Sequence, residues 1–211
     1  MENSKIAAHL LQIKAVRLSV SEPFTWASGW KSPIYCDNRL ALSYPEVRKD
    51  IVQGFVEEIR RLYPQAAGLA GVATGAIAWG ALAAEQLGLP FMYIRSQAKG
   101  HGLQNMIEGR IEEGASYVVI EDLISTGKSS AQAVQALQAA GGKVLGTLAI
   151  FSYGFPQAEQ AFAATGTGFS SLTNLSTLLQ KAAEFDYLRP EEQEAVFTWQ
   201  QNPEAWTGSA A

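Results

Sequence analysis

The sequence is short of several things, and each shortage excludes a class of protein. It has one cysteine, Cys36, in 211 residues. A lone cysteine closes no disulfide within the chain, which rules out a disulfide-built secreted scaffold. No run of 18 or more apolar residues occurs. Ala66–Ala84 comes nearest, but Gly68, Gly71, Gly75, Gly80 and Thr74 interrupt it, so no membrane span is expected. Met1–Val20 lacks the continuous apolar stretch of an export signal, because Glu2, Lys5, His9, Lys14 and Arg17 break it up. Basic charge is in deficit: 16 Lys plus Arg stand against 20 Asp plus Glu, a net charge of −4. That argues against a broad nucleic-acid surface and leaves room for a small basic site for a phosphorylated metabolite. Repeats and low-complexity linkers are missing too. What remains, 47% hydrophobic and 17% charged, describes one globular domain over residues 1–211, expected in the cytoplasm.

Apolar spacing at Ile6, Leu10, Ile13 and Val16 predicts an amphipathic helix over 2–19. Residues 21–42, rich in aromatics, Ser and Gly, with Pro23 and Pro33, read as short strands and tight turns, a hood over whatever follows. Ser43-Tyr44-Pro45-Glu46 has the form of a capping box with an early Pro, opening a helix that runs to about Leu62, before Pro64. Then the pattern alternates. Strands are expected at 68–72, 91–94, 117–120 and 144–151, with helices at 75–87 and 129–140, each closed by Gly. Residues 96–109 have Gly but no period and read as a long mobile loop. The tail offers helices near 171–184 and 190–201, with 207–211 expected to be disordered. Strand–helix alternation implies an α/β fold, a mostly parallel sheet flanked by helices, with the hood about 20–42, the core about 43–155 and a helical tail about 156–206.

Chemistry concentrates in Tyr117-Val118-Val119-Ile120-Glu121-Asp122-Leu123-Ile124-Ser125-Thr126-Gly127-Lys128-Ser129. An apolar strand ends in two acids, and a small hydroxylated loop opens a helix. In open α/β sheets ligands bind beyond the C-terminal strand ends, and a helix N-terminus offers free N–H groups to a phosphate. The acids suit hydroxyl groups, or a metal ion bound by a sugar. Gly127-Lys128-Ser129 looks like the end of a P-loop, but that pattern needs Gly where Asp122 stands, and a carboxylate there would repel the phosphates. A plain helix cap accounts for Ser125 or Thr126 but not for two acids. An acid pair followed by such a loop fits a ribose carrying a 5-phosphate: the carboxylates accept from the 2- and 3-hydroxyls, and the loop amides hold the phosphate.

Residues 118–130 resemble the signature of the phosphoribosyltransferase family, with Glu121 where the family often has Asp. Phe24-Thr25-Trp26-Ala27-Ser28-Gly29-Trp30-Lys31-Ser32-Pro33-Ile34-Tyr35-Cys36-Asp37 looks like the N-terminal segment of orotate phosphoribosyltransferases. Arg95-Ser96-Gln97-Ala98-Lys99-Gly100-His101-Gly102 looks like their catalytic loop. With Ala70–Ala76 as the pyrophosphate loop, the resemblance spans roughly 20–155. It implies transfer of ribose 5-phosphate from phosphoribosyl pyrophosphate to orotate. Catalytic roles are implied for Lys99, His101 and Asp122. Donor contacts are implied at Arg95, Lys99, His101, Glu121, Asp122, Leu123, Ile124, Ser125, Thr126, Gly127, Lys128 and Ser129, and an orotate contact at Ser125. Ala73, Thr74 and Gly75 would line the pyrophosphate side, and segment 24–36 would cover the base, although ordinary core packing explains each of its aromatics equally well. Magnesium (Mg2+) is implied as an ion held mainly by the donor, with no protein metal cage. A homodimer sharing the catalytic loop between subunits is implied as well.

The chain departs from the pattern in places. Ala27 and Ser96 stand where some members have Lys, Gln97 replaces a Lys, and Gly100 replaces an Asp. Residues 151–155 lack the Arg that some members place near the orotate carboxylate, leaving Lys31 or backbone amides for that part. The rivals are a phosphoribosyltransferase for another base, against which segment 24–36 argues, and a non-catalytic donor-binding regulator. Lys99, His101 and the negative net charge argue against the regulator.

Overall fold

The computed structural model describes residues 2–95 and 106–208. The first helix, α1 (Glu2–Gln12), buries Ile6, Ala7, Leu10 and Leu11. It stops short of the expected 2–19. Lys14 adopts a left-handed φ of 58°, the chain turns, and Val16–Leu18 becomes a strand, β1. The hood is a pair of two-stranded antiparallel pieces. Phe24–Thr25 (β2) pairs with Lys31–Ser32 (β3), and Ile34–Cys36 (β4) pairs with β1. Pairing with β4 satisfies backbone groups that a longer α1 would have satisfied internally.

A 3-10 turn over Asn38–Ser43 leads into α2 (Pro45–Leu62). The capping box expected at Ser43 is not made: Ser43 is inside the 3-10 turn, and Tyr44 is the cap residue without a side-chain bond. Pro45 at the first helical position, where no N–H is needed, starts the helix instead.

The alternating core follows closely: β5 (Gly68–Val72), α3 (Ile77–Leu87), β6 (Phe91–Ile94), a two-residue β7 (Ile107–Glu108), β8 (Ser116–Ile124), α4 (Lys128–Ala139) and β9 (Lys143–Ser152). Gly88 stops α3 with a left-handed φ of 67°, as its position suggests. The segment read as a long loop holds β7, and its residues 96–105 lie outside the described residues. The tail differs from expectation. A short helix α5 (Pro156–Ala163) comes first, and the segment from Phe169 is a strand, β10 (Phe169–Asn174), before α6 (Leu175–Glu184) and α7 (Pro190–Gln201). Asn174 sets the start of α6 by accepting the Thr177 N–H at 3.0 Å.

The six-stranded sheet has the order β10–β9–β8–β5–β6–β7, parallel except for β7. Both faces are covered, which is why the inner strands are apolar without alternation. Val118 and Ile120 face one cluster with Ile51, Phe55 and Trp79. Val119 faces the other with Val134, Leu137 and Phe162. No described helix is long and apolar enough to cross a membrane.

Candidate active site

Strand β8 is longer than its apolar run. Pairing with β9 continues through Glu121↔Ala149, Leu123↔Phe151 and Ile124↔Ser152. Both acids therefore sit within the strand rather than in the loop beyond it. The rigid sheet, not a loop, fixes their positions.

The two carboxylates have different surroundings. Glu121 is 5% exposed. One of its oxygens accepts the Asp122 N–H at 3.0 Å and the other accepts the Ser130 hydroxyl at 2.8 Å. Burial, and then the neighbouring Asp122 charge, push its pKa well above the carboxylate range. Asp122 is only partly buried and lines an open cavity. Burial raises its pKa too, while hydrogen bonding with Glu121 and with the main chain, and after them the positive charge of Arg39, pull the other way. Glu121 thus braces the strand end, and Asp122 presents its carboxylate to the cavity.

The cavity, about 370 Å³, is lined by Cys36, Asp37 and Arg39 from the hood side, by Val72 and Ala73–Gly75 after β5, and by Arg95 and Met106. Glu121–Leu123, Ser129, Gln132 and Ala133 complete it. The Ala73–Thr74 peptide is cis. Gly75 packs directly on Asp122, and a Cβ on it would overlap that carboxylate. Between β8 and α4 the chain turns at Gly127, whose φ of 72° is left-handed and unfavourable for other residues. A Cβ there would also press on Ala158. α4 therefore begins directly after the strand end, with the N–H groups of its first turn lacking partners within the helix.

Of the residues singled out in the sequence, Arg95, Glu121, Asp122, Leu123 and Ser129 line this cavity together with Ala73, Thr74 and Gly75. Ser125, Thr126 and Gly127 form the adjoining turn, and Lys128 opens α4. Ile124 has its side chain in the core, and its carbonyl accepts the Tyr153 N–H at 3.1 Å. Lys99 and His101 lie outside the described residues. Arg95 sits 3.4 Å from Glu108.

Sequence reasoning put Cys36 in the segment expected over the base but gave no role to Asp37, Asn38 and Arg39, which continue the 36–39 wall. Asn38, buried, donates from Nδ2 to the Asp122 carbonyl at 2.6 Å and accepts from the Cys36 thiol at 3.3 Å. Burial holds that thiol well above its usual pKa, so it is protonated and a poor nucleophile. Within segment 24–36 only Cys36 lines the cavity. Trp26 packs instead against Tyr153, Phe155 and Trp199, and Phe24 and Tyr35 meet at a tilt of 42° with the Arg17 guanidinium over both rings. Core packing accounts for Trp26, while Phe24 is half-buried and Tyr35 is exposed. Lys31 donates to Thr25 Oγ1 at 2.8 Å and is not among the residues lining the cavity.

Comparison with known proteins gives this arrangement a family. The family model described as "Phosphoribosyl transferase domain" matches residues 47–162. Orotate phosphoribosyltransferase of Bacillus subtilis is 52% identical over 200 residues, 95% of this chain and 93% of that one. This chain belongs to the orotate phosphoribosyltransferase family. A solved orotate phosphoribosyltransferase from Aeropyrum pernix superposes with a TM-score of 0.75 at 29% identity, covering 85% of this chain and 98% of that one. Leishmania donovani UMP synthase shares the fold, with a TM-score of 0.80 at 24% identity, over 95% of this chain but 42% of the longer one. In this member of the orotate phosphoribosyltransferase family the matched region runs from α2 into α5 and contains Ala73–Gly75, Arg95 and the β8–α4 turn. The 36–39 wall lies outside it.

Proposed function

We infer that the chain transfers the 5-phosphoribosyl group from phosphoribosyl pyrophosphate to N1 of orotate, giving orotidine 5-phosphate and pyrophosphate in pyrimidine synthesis. The observation that carries this reading is the cavity that joins Asp122, Ser129 in the first turn of α4, the Ala73–Gly75 loop and Arg95, with the β8–α4 turn adjoining it. Those parts match the donor's ribose hydroxyls, its 5-phosphate and its pyrophosphate in turn.

The bond from C1 of the ribose to the pyrophosphate oxygen breaks, the electron pair leaves with the pyrophosphate, and N1 of orotate bonds to C1 as its proton passes to the departing pyrophosphate or to water. Positive charge builds at the sugar and negative charge on the leaving group. The protein's work is positioning and electrostatic stabilisation. Asp122 accepts from the ribose hydroxyls, with Glu121 setting its backbone. Residues 123–129 hold the 5-phosphate through backbone amides, and Ser125 also touches orotate. Arg95, Lys99 and His101 meet the pyrophosphate. Asp122 is one hard oxygen donor beside the donor site, which fits a magnesium ion taking most of its ligands from substrate oxygens and water. Such an ion supplies charge neutralisation of the pyrophosphate. The same reading places the chain in the cytoplasm as a homodimer whose catalytic loop, after Arg95, is shared between the subunits.

The test is loss of orotate ultraviolet absorbance with donor and magnesium present, run beside uracil and adenine. Loss that requires both donor and magnesium supports the reaction. Turnover of another base but not orotate removes the acceptor assignment, and donor binding with no turnover of any base favours a regulator. For Lys99, replacement by Ala is expected to lower turnover about 10²-fold or more, the usual cost of deleting a charge-stabilising group. The melting temperature should change little. Near-normal turnover in Lys99→Ala would remove the role given to it.

A further inference from the structure

Among the described residues the cavity has two cations in its wall, Arg95 and Arg39. Arg95 has a part on the pyrophosphate side. Arg39 has none in the reaction as written above. It stands in the 3-10 turn after β4, and Asp37 grips its guanidinium through Nε at 2.7 Å and Nη2 at 3.0 Å. A guanidinium has five N–H donors in a fixed fork. The Asp37 pair uses two and leaves the outer edge, both N–H of Nη1 and one of Nη2, for a second planar anion. The turn is anchored to the ribose-binding strand, because its neighbour Asn38 bonds the Asp122 carbonyl at 2.6 Å. A cation rooted there stands next to the place where base meets sugar.

Orotate carries a carboxylate that the bases lacking it do not. The end of β9 and the turn after it, Phe151-Ser152-Tyr153-Gly154-Phe155, contain no cation. Lys31 bonds Thr25 on the hairpin and does not line the cavity. We propose that Arg39 is the specificity-determining residue for the acceptor, binding its carboxylate with the free edge of a guanidinium that Asp37 holds in place. The proposal rests on the orotate reading. It adds which side chain tells orotate from an uncharged pyrimidine.

The test uses full-length Arg39→Gln and Arg39→Lys, with Asp37→Asn as a check on orientation. The Arg39 side chain is largely exposed, so these variants should melt with the parent. Arg39→Gln is expected to raise the KM for orotate about 30-fold, within the range for hydrogen bonds to charged groups. The dissociation constant for phosphoribosyl pyrophosphate, measured by calorimetry without acceptor, should stay within about twofold. The preference for orotate over uracil in kcat/KM should shrink by a similar factor. Arg39→Lys should fall between, because an ammonium keeps the charge and loses the fork, and Asp37→Asn should raise the orotate KM less than Arg39→Gln does. An unchanged orotate KM in Arg39→Gln overturns the proposal. So does a donor affinity that falls as far as the orotate KM rises, which would make Arg39 a donor residue. Failure of the orotate reading looks different: the unmutated protein itself would then use another base in preference to orotate.

Discussion

Asp122→Asn is expected to weaken donor binding about 10²-fold while leaving the melting temperature unchanged or slightly raised. The loss follows from charge-assisted hydrogen bonds. Each bond from a ribose hydroxyl to an ionised carboxylate is worth about 1.5–3 kcal/mol. Asn keeps one acceptor oxygen and turns the other position into a donor that a hydroxyl must reorient to meet. Little else changes. The carboxamide is isosteric with the carboxylate against which Gly75 packs. Asn38 bonds the main-chain carbonyl of residue 122, which the substitution keeps.

The stability side has the opposite sign. Burial disfavours the ionised form of Asp122, and its charge also raises the pKa of Glu121 beside it. A neutral residue removes that repulsion, so the folded protein loses a cost rather than a support. Activity held against stability at one side chain is a common signature of a binding site. Calorimetric titration with phosphoribosyl pyrophosphate and a thermal melt on the same preparation check both halves. Unchanged donor affinity would remove the ribose-hydroxyl role of Asp122. A melting temperature lowered by several degrees would make it a structural acid instead.

How much of this was legible in the sequence depends on how local each determinant is. The β8–α4 segment states its chemistry within thirteen consecutive residues, because strand, acids and turn are one supersecondary unit. Gly88 and Pro45 likewise mark helix ends through their own backbone. The 36–39 wall was not legible: Asn38 meets Asp122 across 84 positions, and nothing local in Asp37-Asn38-Arg39 shows that it faces a cavity. The same holds for β10. Its residues fit a helical pattern, and only the open edge of β9, which pairs from Thr147 to Ser152, makes them a strand. The early end of α1 has the same cause, since Val16–Leu18 is drawn into pairing with Ile34–Cys36. The aromatics of segment 24–36 show a different limit. Their type suggests stacking on a planar base, but Trp26 has its ring partners at 153, 155 and 199, and only the folded chain shows that the tail supplies them.

That tail contact carries the largest expected effect on stability. Trp199→Ala is expected to cost about 3–5 kcal/mol, the range for emptying a buried large aromatic site. Trp199 is fully buried. Its ring meets Trp26, Tyr153 and Phe155 edge-on, with centroids 5.6, 5.6 and 5.2 Å away, a favoured geometry for aromatic pairs. Its indole N–H donates to the Lys31 carbonyl at 3.1 Å. The next residue, Gln200, donates to the Tyr153 carbonyl at 2.6 Å. Helix α7 buries only Val196 and Trp199, so it depends on this one anchor. The β2–β3 pair, two residues per strand, is too small to stand alone and depends on the same cluster from the other side. At about 2–4 °C per kcal/mol for a chain of this size, the melting temperature should drop by about 6–20 °C. Trp199→Phe should recover most of the loss, because it keeps ring packing and gives up the bond to Lys31. Donor affinity measured well below the transition should survive in both variants, since neither Trp199 nor its ring partners Trp26, Tyr153 and Phe155 line the cavity. A Trp199→Ala protein that melts within about 2 °C of the parent would show that α7 and the hood do not stabilise each other.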